Sequence, residues 1–177
     1  MTFSNERFLQ NFLENEVQTD MLVVDGHAGN GQKTRFLASR VGKNGMVLSF
    51  HDDREAANKT AASLFMAGLQ ERATIENGGL SEEGLQKELG RLTKADLMIL
   101  DYSSSETVNH HQINADCDVA WEFLKESGQL LVLISANDDF STVRKVILTD
   151  LADCASSALF AADDGSTLIF EKKATEE

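Results

Sequence analysis

Proline is absent from all 177 residues, and that absence removes one source of rigid, substrate-shaping loops. Cysteine occurs only twice, at Cys117 and Cys154, far apart and without metal-ligand spacing. The first residues, Met1 to Glu16, mix acids with Phe and Leu rather than running from basic to apolar as a secretory leader does. Two free thiols in a cytoplasmic protein are therefore expected, not a disulfide. The four histidines, His27, His51, His110 and His111, pair with neither cysteine nor carboxylate at ligand spacing, so no metal site is expected. No apolar run reaches the roughly 18 residues that a membrane-spanning helix needs. Positive charge is scarce: 16 Lys and Arg stand against 29 Asp and Glu, a net charge of -13. Binding to nucleic acid draws affinity from cations that displace counterions, so RNA recognition would have to rely on a local cluster, for which Lys33, Arg35, Arg40 and Lys43 are the candidates. Otherwise the acid excess reads as a well-solvated surface.

What is present is ordinary globular composition, 42% hydrophobic and 25% charged, at a length that suits one domain spanning residues 1–177. Helical spacing of Phe8, Leu9, Phe12 and Leu13 predicts an amphipathic helix within residues 1–20, and its Phe8 and Phe12 face could pair two copies in a homodimer. After it, apolar runs of strand length alternate with helical patterns. Strands are expected at Met21–Val24, Met46–Phe50, Ala73–Glu76, Leu97–Leu100 and Gln129–Ile134; helices at Gln32–Val41, Arg54–Ala67, Ser81–Leu92, Ile113–Glu126 (stopped by Gly128) and Asp139–Ala152. Ala155–Phe160 and Thr167–Phe170, around Asp163-Asp164-Gly165, read as a closing antiparallel hairpin, with a polar tail over 171–177. The alternation predicts an α/β fold: a three-layer, doubly wound, mostly parallel seven-stranded sheet with an antiparallel C-terminal hairpin. In such sheets ligands lie beyond the carboxyl ends of the strands, which directs attention to Asp25–Gly31, His51–Asp53, Asn77–Gly79 and the residues from Asp101 onward. Trp121, among Val119, Phe123 and Leu124, reads as helix packing.

The segment Val23-Val24-Asp25-Gly26-His27-Ala28-Gly29-Asn30-Gly31 leaves a strand and opens a helix. Its glycines allow close approach of backbone to a ligand, and the helix start offers free N–H groups. The G-x-x-G-x-G spacing after an acid is not the G-x-G-x-x-G of dinucleotide turns, which disfavours a nicotinamide-dependent oxidoreductase. D-x-x-x-G-x-G, with Asp25, Gly29 and Gly31, resembles motif I of the class I S-adenosylmethionine-dependent methyltransferases. Ala67-Gly68-Leu69-Gln70-Glu71-Arg72 looks like the link into the third strand of many of them. Val23-Val24-Asp25, Gly29-Asn30-Gly31, Thr34 and Phe36-Leu37-Ala38 are similar to a small bacterial family described as rRNA methylases and linked to methylation of the aminomethyl group on the tRNA wobble uridine. The resemblance runs from Glu6 to Lys172 and is sharp between Val23 and Arg72.

This resemblance implies S-adenosylmethionine as cofactor and either RNA or a small molecule as methyl acceptor. It implies cofactor contacts at Asp25, Gly26, His27, Gly29, Asn30 and Gly31, at His51 or Asp52 for the ribose, and at Asn77 and Gly78 for the adenine. The family's acid at the ribose position is His51 here, with Asp52 one residue on, and its adenine-holding Asp is replaced by Asn77-Gly78-Gly79. Many relatives carry Gly where this chain has His27. Asp101 and Tyr102, at the head of Asp101-Tyr102-Ser103-Ser104-Ser105-Glu106, would face the acceptor by hydrogen bonding or stacking. The family's glycine, tyrosine, leucine, proline run survives there only as Tyr102, and the proline-rich segment near Ala161–Gly165 is missing. His110 and His111 follow in the same connection, as a candidate general base or as surface residues. Motif I kept beside altered later positions also admits a binding or regulatory protein of this fold without catalysis.

Overall fold

A computed structural model describes residues 3–105 and 109–175. Helix α1 (Asn5–Glu16) precedes β1 (Leu22–Asp25), α2 (Gln32–Arg40), β2 (Met46–His51), α3 (Arg54–Met66), a short 3-10 turn and β3 (Ala73–Asn77). Then come α4 (Glu82–Leu89), β4 (Ala95–Tyr102), α5 (His110–Glu122), β5 (Leu124–Ile134), α6 (Phe140–Asp150), β6 (Cys154–Ala162) and β7 (Gly165–Lys172). The seven strands form one sheet in the order β3-β2-β1-β4-β5-β7-β6. β1 to β5 are parallel, and β7 runs antiparallel between β5 and the edge strand β6. The expected doubly wound sheet with its closing hairpin is what the chain forms.

Alternate residues of each strand feed opposite faces. Val24, Leu48, Met98, Leu100, Leu130 and Val132 pack with Leu85, Ile113, Trp121, Val143 and Ile147, placing α4, α5 and α6 on one side. Val23, Val47, Leu97, Ile99, Leu131 and Leu133 pack with Leu9, Leu13, Leu37 and Leu64, placing α1, α2 and α3 on the other. Both faces of the central strands are thus covered, which is why β4 and β5 carry unbroken apolar runs instead of an alternating pattern.

Several boundaries differ from expectation. α5 starts three residues before Ile113 because Asn109 caps it, its side chain accepting from the backbone N–H groups of His111 and Gln112. It ends at Glu122, not Glu126, because Phe123 and Leu124 are buried in the core and Leu124 already pairs with Ala95 of β4. Gly128 does not stop a helix. It lies inside β5, next to Ser127 in the left-handed region (φ 58°), where an added Cβ would meet Leu124 at 2.8 Å. α4 ends at Leu89, closed by Gly90 at φ 72°, and Leu92 is fully exposed beyond it. Phe8 stacks on Phe160 of β6, centroids 4.3 Å apart, with Phe12 tilted beside it at 5.9 Å; all three rings stay half-buried.

Asp164, in the β6–β7 turn, secures the start of α1. Its carboxylate accepts from the Asn5 backbone at 2.7 Å, the Ser4 hydroxyl at 2.8 Å and the Glu6 backbone at 3.3 Å, which holds its carboxyl below the ordinary carboxylate range. Asp164→Ala is expected to remove about 1 kcal/mol, the scale of a lost helix cap. Amide exchange at Asn5 and Glu6 should accelerate while the β4 and β5 amides stay protected; unchanged exchange at Asn5 would refute this tie.

Candidate active site

β1 and β4 are neighbours whose continuations lead to α2 on one face and α5 on the other. The chain therefore parts at their carboxyl ends and leaves a crevice, as open α/β sheets do at a switch in strand order. A cavity of about 900 Å³ opens there, within the roughly 300–1,000 Å³ that small-molecule sites occupy. Ala28, Gly29 and Asn30 form its floor, Asp52 and Asp53 one flank, and Asp101, Tyr102 and Ser103 the other. Asn5, Glu6 and Leu9 of α1 close the far side together with Asp164.

The glycine turn has two kinds of glycine. Gly31 (φ 78°) is the N-cap of α2, and a Cβ there would collide with Thr60 of α3, so its bareness serves packing. Gly29 (φ 53°) has no protein atom within 4 Å of where a Cβ would stand, and it lines the cavity. Its bareness leaves room for something that is not protein. Gly26 packs against β4 instead: its Cβ would meet Leu100 at 2.6 Å, and its N–H donates to the Ile99 carbonyl at 2.8 Å.

Asp25 is fully buried beneath the turn. One of its oxygens accepts from Thr34 Oγ1 at 3.0 Å, and Oδ1 has no partner among the described residues. Burial pushes its carboxyl up, against the opposing pull of Lys33 and Thr34. Asp25 therefore shapes the turn from below and does not reach the cavity wall, and neither do Gly26 and Gly31.

His51 lies beneath the glycine turn and is not among the cavity-lining residues. Its ring is buried, with Nδ1 donating to the Gly29 carbonyl at 3.1 Å and Nε2 accepting from the Ser49 hydroxyl at 3.1 Å. Both nitrogens support the underside of the glycine turn. Asp53 is committed as the N-cap of α3, accepting from Glu55 and Ala56. Of the three-residue run, Asp52 is left facing the cavity, and it sits where a Cβ on Gly79 would come within 2.9 Å of its carboxylate. Asn77 and Gly78 are exposed and outside the cavity lining, with the Gly78 N–H donating to the His51 carbonyl at 2.8 Å. The structure thus does not bring them to the wall where the resemblance would put an adenine contact.

At the end of β4 the expected acceptor-holding groups are already engaged. Asp101 Oδ2 receives Lys33 Nζ at 2.5 Å, and Oδ1 receives both the backbone N–H (2.9 Å) and hydroxyl (2.5 Å) of Ser103. Burial would raise the Asp101 carboxyl, but the Lys33 charge and these hydrogen bonds outweigh it and hold it below its ordinary value. Burial likewise works against the Lys33 ammonium, yet Asp25 and Asp101 lift it above the usual lysine range. Tyr102 donates its hydroxyl to Asp116 Oδ2 at 2.6 Å; burial and that carboxylate push its ionisation upward, so it stays a neutral donor. The Glu106 end of this run lies outside the described residues. His110 and His111 sit exposed in the first turn of α5, away from the cavity lining.

Sequence reasoning missed Asp116 and misplaced Lys33. Asp116 is buried on α5 among Ile113, Cys117 and Ala120, so an acid at core spacing was the signal. It accepts from His27 Nε2 at 3.1 Å, Tyr102 and Gln112 Nε2 at 2.8 Å. Burial would raise its carboxyl, but these donors hold it low. Of the four candidate cations Lys33 turns into the cavity, whereas Arg35, Arg40 and Lys43 stay exposed, Arg35 reaching Ser63 at 3.2 Å and Arg40 the Glu14 carbonyl at 2.7 Å. Among the described residues no group of three or more His, Cys, Asp and Glu side chains has metal-binding geometry, and no helix is long and apolar enough to cross a membrane.

This strand order, with a glycine turn after β1 and a reversed β7, defines the class I methyltransferase fold. Solved structures agree. A candidate rRNA methylase from Clostridium thermocellum superposes with a TM-score of 0.80 at 21% identity, covering 99% of this chain and 100% of that one. An rRNA methylase from Streptococcus thermophilus gives 0.76 at 19% identity, covering 98% and 99%. A candidate methyltransferase from Streptococcus mutans, solved in complex with SAH, gives 0.76 at 16% identity, covering 97% and 99%. No protein-family model and no curated protein sequence matches the chain.

Proposed function

We propose that this protein is an S-adenosylmethionine-dependent methyltransferase acting in the cytoplasm. The observation that carries the reading is Gly29: a left-handed glycine whose Cβ direction is empty, on the floor of a cavity of about 900 Å³ at the strand switch. The residues present suit that cofactor. The backbone of Ala28, Gly29 and Asn30 would cradle its amino-acid end, and the Asp52 carboxylate would accept from ribose hydroxyls. Asp101 and Tyr102 would border the reacting carbon, the first held by Lys33, the second by Asp116. When bound, the cofactor supplies a methyl group on a sulfonium, which leaves by in-line displacement. The protein's part is to hold the acceptor atom at about 3 Å from that carbon and to exclude water.

A small-molecule acceptor is favoured over RNA. The net charge is -13, and the cavity flanks carry Glu6, Asp52, Asp53 and Asp164, while Lys33 is spent on Asp101. A phosphate backbone meets net repulsion at these flanks. Two free cysteines, one buried, suit the reducing cytoplasm.

Calorimetric titration with S-adenosylmethionine and S-adenosylhomocysteine tests the cofactor, and methyl incorporation from labelled cofactor into bulk tRNA or a metabolite extract tests the acceptor. Micromolar binding with label in the extract is the expected result. Label in tRNA would replace the acceptor assignment, binding without incorporation would favour a non-catalytic protein of this fold, and no binding at millimolar ligand would end the reading.

A further inference from the structure

Three side chains from three separate elements meet at and behind the cavity wall: His27 after β1 and Tyr102 at the end of β4 line it, and Asp116 on α5 is buried behind them. His27 and Tyr102 rings pack with centroids 4.6 Å apart, and both rings direct their polar tips to one carboxylate, Asp116 Oδ2. A carboxylate only accepts, so the neutral His27 ring carries its proton on Nε2 and leaves Nδ1 bare. No described residue donates to that Nδ1. Of the titratable groups that the β1 and β4 ends bring to the cavity, Asp101 is tied into its ion pair with Lys33 and its bonds from Ser103, and the Tyr102 hydroxyl gives its proton to Asp116. His27 keeps a ring nitrogen that bonds no described residue, and it lines the cavity with its side chain about one-fifth exposed.

We propose that His27 is the general base of methyl transfer and Asp116 its positioning residue, so that the acceptor belongs to the class that loses a proton at the attacking atom. This rests on the methyltransferase reading above. In the step, the acceptor X–H forms its new X–C bond with the methyl carbon as the C–S bond breaks. The bonding pair stays on sulfur, which becomes neutral, and the X–H proton passes to His27 Nδ1. Asp116 faces the resulting imidazolium through Nε2–H and balances its charge, the arrangement by which a buried acid orients and stabilises a catalytic histidine. Gln112 fixes the other oxygen of Asp116, and Tyr102 fixes the shared one. Of the other charged groups that line the cavity with His27, Lys33 and Asp101 pair with each other, and Glu6, Asp52, Asp53 and Asp164 are the remaining acids.

The test uses the full chain in four forms: wild type, His27→Ala, Asp116→Asn and Asp116→Glu. S-adenosylhomocysteine affinity is measured by calorimetry, and methyl transfer is followed against pH with tRNA and metabolite extract as acceptor pools. The ring tautomer of His27 is read by ¹⁵N NMR. His27→Ala should bind S-adenosylhomocysteine like wild type but transfer methyl about a hundredfold more slowly, without the acidic limb of the wild-type pH profile. Asp116→Asn should lose on the order of tenfold or more and release the ring from its Nε2-protonated tautomer, with Asp116→Glu recovering part of the rate. The wild-type ring should show the proton on Nε2. Full turnover in His27→Ala, an unchanged rate and ring tautomer in Asp116→Asn, or a proton on Nδ1 in the wild type would overturn the dyad while the methyltransferase reading stands. S-adenosylhomocysteine binding with neither pool methylated would overturn the dyad together with the catalytic reading, in favour of a non-catalytic protein of this fold. Failure to bind S-adenosylhomocysteine at all marks failure of the underlying reading instead.

Discussion

Lys33→Met should cost about 3 kcal/mol of folding stability, at the lower end of what breaking a buried ion pair costs because both partners retain some solvent contact. Lys33 Nζ bonds Asp101 at 2.5 Å and also offsets the fully buried charge of Asp25. Methionine keeps the length and apolar volume of the stem, so the loss isolates the charge. The pH dependence gives a second signature. In the wild type Asp101 lies below its unfolded value, so the stability it contributes is present above the ordinary carboxylate range and lost as pH falls through the folded value. Asp25, raised by burial, acts oppositely: its contribution is complete below the unfolded value and declines as pH rises through the folded one. Without Lys33 both carboxylates are desolvated and uncompensated, so both should behave like Asp25. On acidification from pH 7 to 5 the variant should then gain more stability than the wild type, in which Asp25 but not Asp101 responds in that sense. Denaturant melts at the two pH values check this, and a parallel response of both proteins would show that Lys33 does not couple to these acids.

Gly29→Val should weaken S-adenosylmethionine binding on the order of a hundredfold, about 2.7 kcal/mol, while leaving a cooperative melt. A β-branched residue at φ 53° carries about 1–2 kcal/mol of left-handed strain, and its methyl groups would stand in the open cradle, not in protein. Gly31→Ala makes the contrast. Its Cβ would strike Thr60, so its loss should register mainly in the melting temperature, with binding falling only as far as the turn shifts. Equal effects of the two substitutions on binding would show that the turn responds as one unit and that Gly29 has no separate role. Calorimetry together with thermal melts resolves the two.

Most of the scaffold can be read one segment at a time. Apolar runs such as Leu97–Leu100 and Leu130–Ile134 are long enough, and flanked suitably enough, to be buried parallel strands. Ser81, Asp53 and Asp139 each cap the helix that follows them. Where reading failed, the determining contact was remote. Phe123 and Leu124 continue a helical pattern, yet pairing with Ala95 draws the chain into β5. The ring stacked on Phe8, Phe160 of β6, likewise comes from the far end of the chain.

The amino-acid sequence by itself determined the doubly wound sheet, the reversed hairpin and the glycine turn after β1, because periodicity, capping and left-handed glycines act over a few residues. Only the tertiary structure decided what the polar groups at that turn do. Lys33 meets Asp101 across 68 positions and His27 meets Asp116 across 89. Those pairings arise because parallel strands bring distant loops to one edge of the sheet, where buried charges and donors must find partners wherever the fold delivers them. That same requirement turned His51 under the loop and left Asp52 at the cavity.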